Sequence, residues 1–339
     1  MLLIPVDSGE REAFDLFVGS HVHGDPLQGA CFGDLQAERG RAVHRFYLVE
    51  GGRAVGSLSL IAADLGRLGQ ILYAPRGPVL DPGPRMAWRS LAWELRHHFP
   101  QAFAFACAPR IDDRQPRPPG YLPRGRLGLD PGLSLAAVEL PLSGDPERDF
   151  ERLQRRCRAQ LRRAPARGVT VREATGDEVR LALGLMRRDP VGRAAIARDP
   201  SALADTLRTF RRRGQAALFL AEESGTVRAA TVVIRLGRHA LCQHLGPDDG
   251  GRNRAAGYAA QWAAIAWAGR EGAERCDITG LRAADDPTLA DVARRYGGIE
   301  HRYALLEFPL RLGPYIAYRL LPTARVRRSP ASEEAAPAH

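Results

Sequence analysis

Strand-like and helix-like apolar patterns follow one another along the chain in an order that occurs twice. In the first copy, the runs FYLVE, AVGSLSLIAA and GQILYA precede a Gly/Pro loop, a helix pattern over about 86–98, and AFAFAC. In the second copy, LFLAEE, VRAATVVIR and HALCQHLG precede a Gly-rich loop, a long helix pattern through Trp267, and ERCDIT. Apolar runs of this length are typical of strands. The repetition predicts an internal duplication and a mixed α/β fold rather than a barrel.

A basic amphipathic segment lies between the two copies. Over 149–163 the apolar residues recur at helical spacing, which predicts one helix with Phe150, Leu153, Cys157 and Leu161 on its buried face. Arginines fill much of the opposite side. Further helices are predicted over about 177–188, 201–213 and 313–321. The segment 325–339 has no core residues and is predicted to be disordered.

Composition narrows the class of protein. The chain has 339 residues, of which 26% are charged and 45% hydrophobic. These values indicate a globular protein long enough for two domains, and exclude the disordered, collagen-like and membrane-spanning classes. The net charge is +10, and all 49 basic residues are arginine. This excess favours RNA, an anionic membrane surface or a phosphate-bearing substrate as the partner.

The cysteines and histidines do not form a metal-site pattern. The five cysteines are scattered without a C-x-x-C pair, which fits a reducing cytoplasm better than a disulfide framework. His21 and His23 form an H-x-H that no further ligand pair completes, so no metal site is predicted. The first residues do not have the pattern of a signal peptide.

Five segments are similar to motifs of one known protein family. HGDPLQGACFGDLQAERG is similar to the family's Q-x-x-x-W-G-x-x-K motif, and LYAPRGPVLD to its YAPRGPV loop. RAQLRRAPARGVTV is similar to R-x-N-I-R-K-A-x-K-x-G-V-x-V. GYAAQWAAIAWAGREGAERCDITGL resembles the helix and Y-D-x-x-G strand that follow, and TLADVARRYGGIEHRYALLEFPL the late F-K-x-x-F-G-G region. Together these segments resemble the FemABX family, and the resemblance covers nearly the whole chain in the family's order.

This resemblance implies two tandem GNAT-like domains without a coiled-coil insertion. The first would comprise 1–143 and be completed by 308–324, and the second would comprise 144–307. It also implies an aminoacyltransferase that moves an amino acid from aminoacyl-tRNA to the amine of a peptidoglycan precursor stem peptide. The expected partners are aminoacyl-tRNA and a UDP-linked muropeptide or lipid II, with no cofactor. The expected location is cytoplasmic with a peripheral membrane contact, as a monomer or a dimer with itself or a paralogue.

The resemblance also assigns site residues. Precursor contacts are expected at Gln36, Arg76, Phe103, Arg198 and His244. Two family lysines are replaced, one by Gln36 and the other by Ala293, so Arg294 and Arg295 become candidates to bind the same anion. Phosphates of tRNA are expected on the basic helix, at Arg155, Arg158, Arg162 and Arg163.

Two candidate bases remain open at this stage. Asp277 matches the family's strand-end aspartate and is the best carboxylate candidate, although an aspartate there is equally consistent with capping a turn. His244 has a suitable ordinary pKa for a base near neutral pH, but a lone histidine in an apolar strand is more often structural. No Ser-His-Asp or Cys-His arrangement is visible.

Three other functions compete with peptidoglycan-directed transfer. The loss of both lysines would suit tRNA-dependent transfer to an uncharged small-molecule acceptor. Arg254, Gly257 and Ala259 form the R-x-x-G-x-A pattern that seats coenzyme A at a helix start, which would make the protein an acyl-CoA N-acyltransferase. A catalytically impaired paralogue is the third alternative.

Overall fold

The chain folds into two units, each with its own sheet and core. The computed structural model describes residues 1–80, 86–110, 134–188, 197, 199–245, 254–280, 282–283 and 287–320. One unit comprises Met1–Leu135 together with the segment that begins at Arg302, and the other comprises Ala136–His301. The predicted disordered segment 325–339 lies outside the described residues.

The strands are numbered in chain order. They are β1 (Leu2–Pro5), β2 (Ala42–Glu50), β3 (Arg53–Asp64), β4 (Gln70–Ala74), β5 (Val79–Leu80), β6 (Ala102–Cys107), β7 (Ser134–Pro141), β8 (Val169–Glu173), β9 (Ala216–Glu223), β10 (Thr226–Leu236), β11 (His239–Leu245), β12 (Arg275–Asp277), β13 (Arg282–Ala283), β14 (Ile299–Ala304) and β15 (Leu306–Pro309).

The α-helices are numbered in the same way. They are α1 (Arg11–Ser20), α2 (Ala30–Glu38), α3 (Met86–His98), α4 (Pro146–Arg152), α5 (Arg155–Arg163), α6 (Val179–Met186), α7 (Ala202–Arg211), α8 (Arg254–Arg270), α9 (Pro287–Tyr296) and α10 (Leu312–Leu320). Short 3-10 turns span Ser8–Glu10, Pro26–Gln28, Gly66–Leu68, Pro165–Arg167 and Gly176–Glu178.

The sheet of the first unit has the order β1-β2-β3-β4-β6-β15, with β5 paired to β3. Its neighbours are antiparallel except β4 and β6, which run parallel. Side chains alternate between the two faces, as expected for strands. Helix α3 covers one face with Trp88, Leu91 and Leu95, and α10 contributes Tyr315 and Tyr318 to the other. The late strand β15 therefore completes a sheet that begins at residue 2.

The sheet of the second unit has the order β13-β7-β12-β11-β10-β9-β8, with β14 beside β7. Its parallel pair is β11 and β12, and the register joins only His239–Leu241 to Arg275–Asp277. Strand β11 continues to Leu245 beyond this pairing. The two strands therefore part at the C-terminal end of β11. Helix α8 packs its alanine-rich surface against this sheet.

The two sheets confirm the predicted duplication and the mixed α/β class. In each, an antiparallel meander is followed along the chain by a helix and then by a strand parallel to the last long meander strand. The pairs are β4 with β6 across α3, and β11 with β12 across α8. Strand β7 differs from the predicted division at 143/144, because it pairs with β12 in the sheet of the second unit.

The prediction of a single helix over 149–163 is wrong. The chain forms α4 and α5, separated at Leu153, whose φ of −60° and ψ of 150° are extended. The expected buried face survives the break, since Leu153 and Cys157 are buried and Phe150 and Leu161 pack against the same core. Tertiary packing of these side chains outweighs the local preference for a continuous helix.

Candidate functional site

The loop that carries Arg76 is held by several side-chain contacts. Arg76 lies between β4 and β5 with a φ of +50°, which is uncommon for a residue with a side chain. Its Nη1 lies 3.2 Å from Asp25 Oδ2 and 3.4 Å from the hydroxyl of Tyr303. The guanidinium also lies over the Tyr303 ring, 5.2 Å from its centroid. A cation, an anion and an aromatic ring therefore hold this loop together.

Gln28 supports the same loop by taking the place of a strand. Strand β3 pairs with β5 at Gly56 and Ser57 and with β4 from Ile61 onward, which leaves Ser59 unpaired on that edge. Gln28 Oε1 accepts a hydrogen bond from Ser59 N at 2.9 Å, and Nε2 donates to Ser59 O at 3.1 Å. Nε2 also donates to Pro75 O at 2.6 Å. The fully buried amide thus satisfies three backbone groups that a strand would otherwise pair.

Gly77 allows this arrangement because it has no side chain. A Cβ at this position would lie 2.3 Å from Gln28 Cδ, closer than any ordinary contact. The glycine of the R-G-P sequence therefore makes room for the Gln28 amide. The Arg76 side chain is only 3% exposed and stabilises the loop through its contacts with Asp25 and Tyr303, and a precursor contact at Arg76 stays a prediction.

The two other precursor contacts expected in the first unit have different surroundings. Phe103 is fully buried in β6, with its ring 5.2 Å from that of Tyr318, and the expected precursor contact there stays a prediction. Gln36 is also buried, and its Oε1 accepts a hydrogen bond from Arg41 Nη1 at 2.6 Å. Arg41 is partly exposed. Where the family has a lysine, this chain therefore has Gln36, whose side-chain amide binds the guanidinium of Arg41.

Asp277 caps a turn at the end of β12. Its Oδ1 accepts hydrogen bonds from the backbone N–H groups of Thr279 and Gly280, each at 2.9 Å. The side chain of Thr279 in turn accepts from Val138 N at 2.9 Å, which links β7 to this turn. Asp277 is buried. Of the two roles open from sequence, the structure therefore supports capping, because the carboxylate already accepts backbone donors.

His244 lies where β11 has parted from β12. Its Nδ1 is 3.5 Å from Thr231 Oγ1 on the neighbouring strand, and the ring is partly exposed. A Cβ added to Gly257 in the first turn of α8 would meet this ring at 3.6 Å. The imidazole and the start of α8 are thus adjacent, and the glycine leaves this approach open. Arg198 lies outside the described residues.

Arg295 belongs to a tyrosine-rich group behind this site, whereas Arg294 does not. Arg295 forms an ion pair with Asp291 one turn earlier and a hydrogen bond with Tyr258. Burial raises the pKa of Tyr258, so this phenol keeps its proton near neutral pH. Arg294 is exposed, and its Nε donates to Ala290 O at 3.2 Å. Of the two arginines beside the lost lysine, Arg295 faces the interior group and Arg294 faces solvent.

A second tyrosine, Tyr296, links helix α9 to the end of β12 through Gln261 of helix α8. Tyr296 donates from its hydroxyl to Gln261 Oε1 at 2.7 Å, and Gln261 Nε2 donates to Ile278 O at 3.0 Å. The rings of Tyr258 and Tyr296 lie 5.6 Å apart. This chain of contacts ties α8 and α9 to the residue that follows β12. Sequence reasoning did not single out these residues, because their partners are distant along the chain.

Helix α5 presents a cationic surface. Its core side carries Cys157, and its exposed side carries Arg155, Arg156, Arg162 and Arg163. Arg162 lies over the ring of Phe150 at 5.6 Å, which fixes one guanidinium without neutralising it. Arg158 differs from the others because it is half-buried and its Nη1 donates to Glu151 O at 2.6 Å. It therefore anchors the break between the two helices.

Comparison with known proteins identifies the fold. Residues 151–287 match the model of the acetyltransferase (GNAT) domain. The crystal structure of FemX superposes with a TM-score of 0.74 at 15% identity, covering 94% of this chain and 100% of that chain. The chain has a FemX-like tandem GNAT fold. No curated protein sequence matches it.

Two further structures share the fold of this FemX-like chain more distantly. A tandem GNAT protein from the clavulanic acid biosynthesis pathway has a TM-score of 0.53 at 16% identity, covering 91% of this chain and 98% of that one. The C-terminal domain of a putative lysylphosphatidylglycerol synthetase from Agrobacterium fabrum has a TM-score of 0.51 at 13% identity, covering 96% and 98%. These likenesses confirm the predicted architecture.

The described residues lack both a metal-ligand cluster and a helix suited to span a bilayer. No group of three or more His, Cys, Asp or Glu residues is placed to hold a metal ion in the part of the chain that the structure describes. Within the same residues, no helix combines the length and the apolar character that crossing a bilayer requires.

Proposed function

We propose that this FemX-like protein is an aminoacyltransferase that uses aminoacyl-tRNA to extend the stem peptide of a peptidoglycan precursor. The observation that carries the proposal is the likeness to FemX across both units, with a TM-score of 0.74 against 0.53 for the tandem GNAT protein of the clavulanic acid pathway. The cationic face of α5 supports a tRNA partner, because arginines bind phosphates without reading sequence.

The reaction needs positioning more than strong base catalysis. The acceptor amine attacks the ester carbonyl of aminoacyl-tRNA, an amide forms, and the ester C–O bond breaks. The amine loses a proton, and the released terminal hydroxyl of the tRNA gains one. Because the ester is already activated, holding the amine near it and stabilising the developing oxyanion supply most of the rate. His244, at the parted strands, is our candidate to accept the amine proton.

Single-turnover transfer from a pool of radiolabelled aminoacyl-tRNAs tests this proposal. The acceptors are UDP-linked muropeptide, lipid II and a mixed small-amine extract, each offered separately with the full-length protein. Label in either precursor is the expected result. Label in the amine extract alone would replace the peptidoglycan acceptor by a small molecule. Acetyl transfer from acetyl-CoA without any aminoacyl transfer would overturn the proposed donor.

Arg41 offers a test of the precursor side. We propose that its guanidinium, held by Gln36, binds the diphosphate of the precursor in place of the family's lysine. Arg41→Gln is expected to raise the KM for UDP-linked muropeptide about tenfold with little change in kcat, because a binding contact is lost. Arg41→Lys keeps the charge and should recover part of this loss. The matched control is Arg53→Gln, at an exposed arginine of the same unit. An unchanged KM in Arg41→Gln would remove Arg41 from the precursor site.

A further inference from the structure

Helix α10 has an apolar side that faces outward. Leu312, Ile316 and Leu320 are 64%, 50% and 65% exposed. They are spaced by four residues, so they form one stripe along the helix about 12 Å long. Gly313 and Ala317 lie exposed beside them. We define Leu312, Ile316 and Leu320 as the α10 face. A surface helix normally turns its apolar side inward and its polar side to water. An exposed apolar face of this kind is typical of an interaction surface.

The inner side of α10 fixes this orientation. Tyr315 and Tyr318 are buried against the sheet, and the Tyr318 ring contacts Phe103. The Tyr315 hydroxyl donates to Glu307 Oε1 at 2.7 Å, and Arg319 Nη1 donates to the same oxygen at 3.1 Å. Rotating the helix to hide its leucines would break these buried contacts. The α10 face is therefore held outward by the fold.

The surroundings of the α10 face are cationic. Arg311 is exposed immediately before the helix, and Arg67 is exposed in the 3-10 turn Gly66–Leu68 that contacts it. The nearby Asp64 uses its Oδ1 to cap Gly66 N at 2.8 Å. An apolar stripe bordered by arginines complements a surface whose anionic outer layer covers an apolar interior.

We propose that the α10 face docks on the surface of an anionic lipid bilayer. Leu312, Ile316 and Leu320 enter the boundary between headgroups and acyl chains, and the neighbouring arginines contact the lipid phosphates. The nine-residue helix lies along the surface, because it is too short to span a bilayer. This proposal does not depend on the proposed function, since it rests on α10 and its neighbours alone.

Flotation of the full chain with vesicles tests the docking. Vesicles of equal parts phosphatidylglycerol and phosphatidylcholine are compared with vesicles of phosphatidylcholine alone. Wild-type protein is expected to float with the anionic vesicles. For L312S/I316S/L320S, the partition coefficient onto these vesicles should be at least about tenfold lower. The variant should fold normally because these side chains are exposed. A charge variant, R67E/R311E, should also bind the anionic vesicles less and leave the phosphatidylcholine result unchanged.

A matched control replaces exposed apolar residues elsewhere in the same unit. Leu16, Val22 and Val55 are 73%, 51% and 39% exposed, and L16S/V22S/V55S should float like wild type. Failure of wild-type protein to bind anionic vesicles would overturn the proposal, as would equal binding by L312S/I316S/L320S. A concentration-dependent dimer that this variant abolishes would also overturn it, because a second copy would then cover the face.

Discussion

Reversing Arg155, Arg162 and Arg163 to glutamate is expected to weaken aminoacyl-tRNA binding about a hundredfold at moderate salt. These guanidinium groups are exposed on one side of α5, so all three can contact phosphates of a single acceptor stem. Each lost phosphate contact reduces the number of counterions that binding releases. The slope of log affinity against log salt should therefore fall by about 2 to 3, as measured by filter binding across a salt series.

The control for this experiment makes the same change in net charge at a different surface of the second unit. Arg180, Arg187 and Arg188 are exposed at or near α6 in the same unit. Their reversal to glutamate should leave most of the affinity and nearly the full salt slope. Arg158 is left unchanged, because its side chain donates a hydrogen bond to Glu151 O and its replacement would alter the local structure as well as the charge. Equal effects of the two triple variants would mean that tRNA responds only to overall charge, and would remove α5 from the interface.

Replacing Gln28 by leucine is expected to destabilise the first unit by about 3 to 6 kcal/mol. The substitution keeps the approximate size of the side chain but leaves Ser59 N, Ser59 O and Pro75 O without their buried partner. Each such group costs on the order of 1–3 kcal/mol when its hydrogen bond is removed. Urea unfolding, followed by tryptophan fluorescence in a background with Trp262 and Trp267 replaced by phenylalanine, reports on this unit through its own tryptophans.

Gln36→Leu is the matched control for the stability measurement. Gln36 is also a buried glutamine of the first unit, but its Oε1 accepts a hydrogen bond from the partly exposed Arg41 and does not bind a strand edge. Its replacement should cost about 1 kcal/mol. If both variants lowered the free energy of unfolding equally, Gln28 would not serve as a substitute for a strand.

Local patterns were sufficient to predict most of the fold. The apolar runs within 46–63 and 218–235 predict strand pairs, and helix α3 matches its predicted bounds of 86–98. The order of these elements in two copies predicts the duplicated sheets. The helix break at Leu153 could not be predicted in this way, because the packing of α5 against the core and not its sequence decides it.

The site was less predictable because its contacts join distant residues. Gln28 reaches Pro75 across 47 residues, and Arg76 reaches Tyr303 across 227. Sequence spacing cannot show that an arginine in a loop is buried by such distant partners. Arg41 escaped notice for a simpler reason. It is one of 49 arginines, and only the hydrogen bond to Gln36 distinguishes it.

Because strand β15 and helix α10 come late in the chain, the two units complete their folds in the reverse of the order in which they begin to be synthesised. Both cores of the first unit use them: Leu306 and Phe308 pack on one face of its sheet, and Tyr315 and Tyr318 on the other. The ribosome translates these residues only after the whole of Ala136–His301. During elongation, the second unit can therefore complete its sheet while the first still exposes the edge of β6. The half of the protein that is made first is the half that finishes folding last.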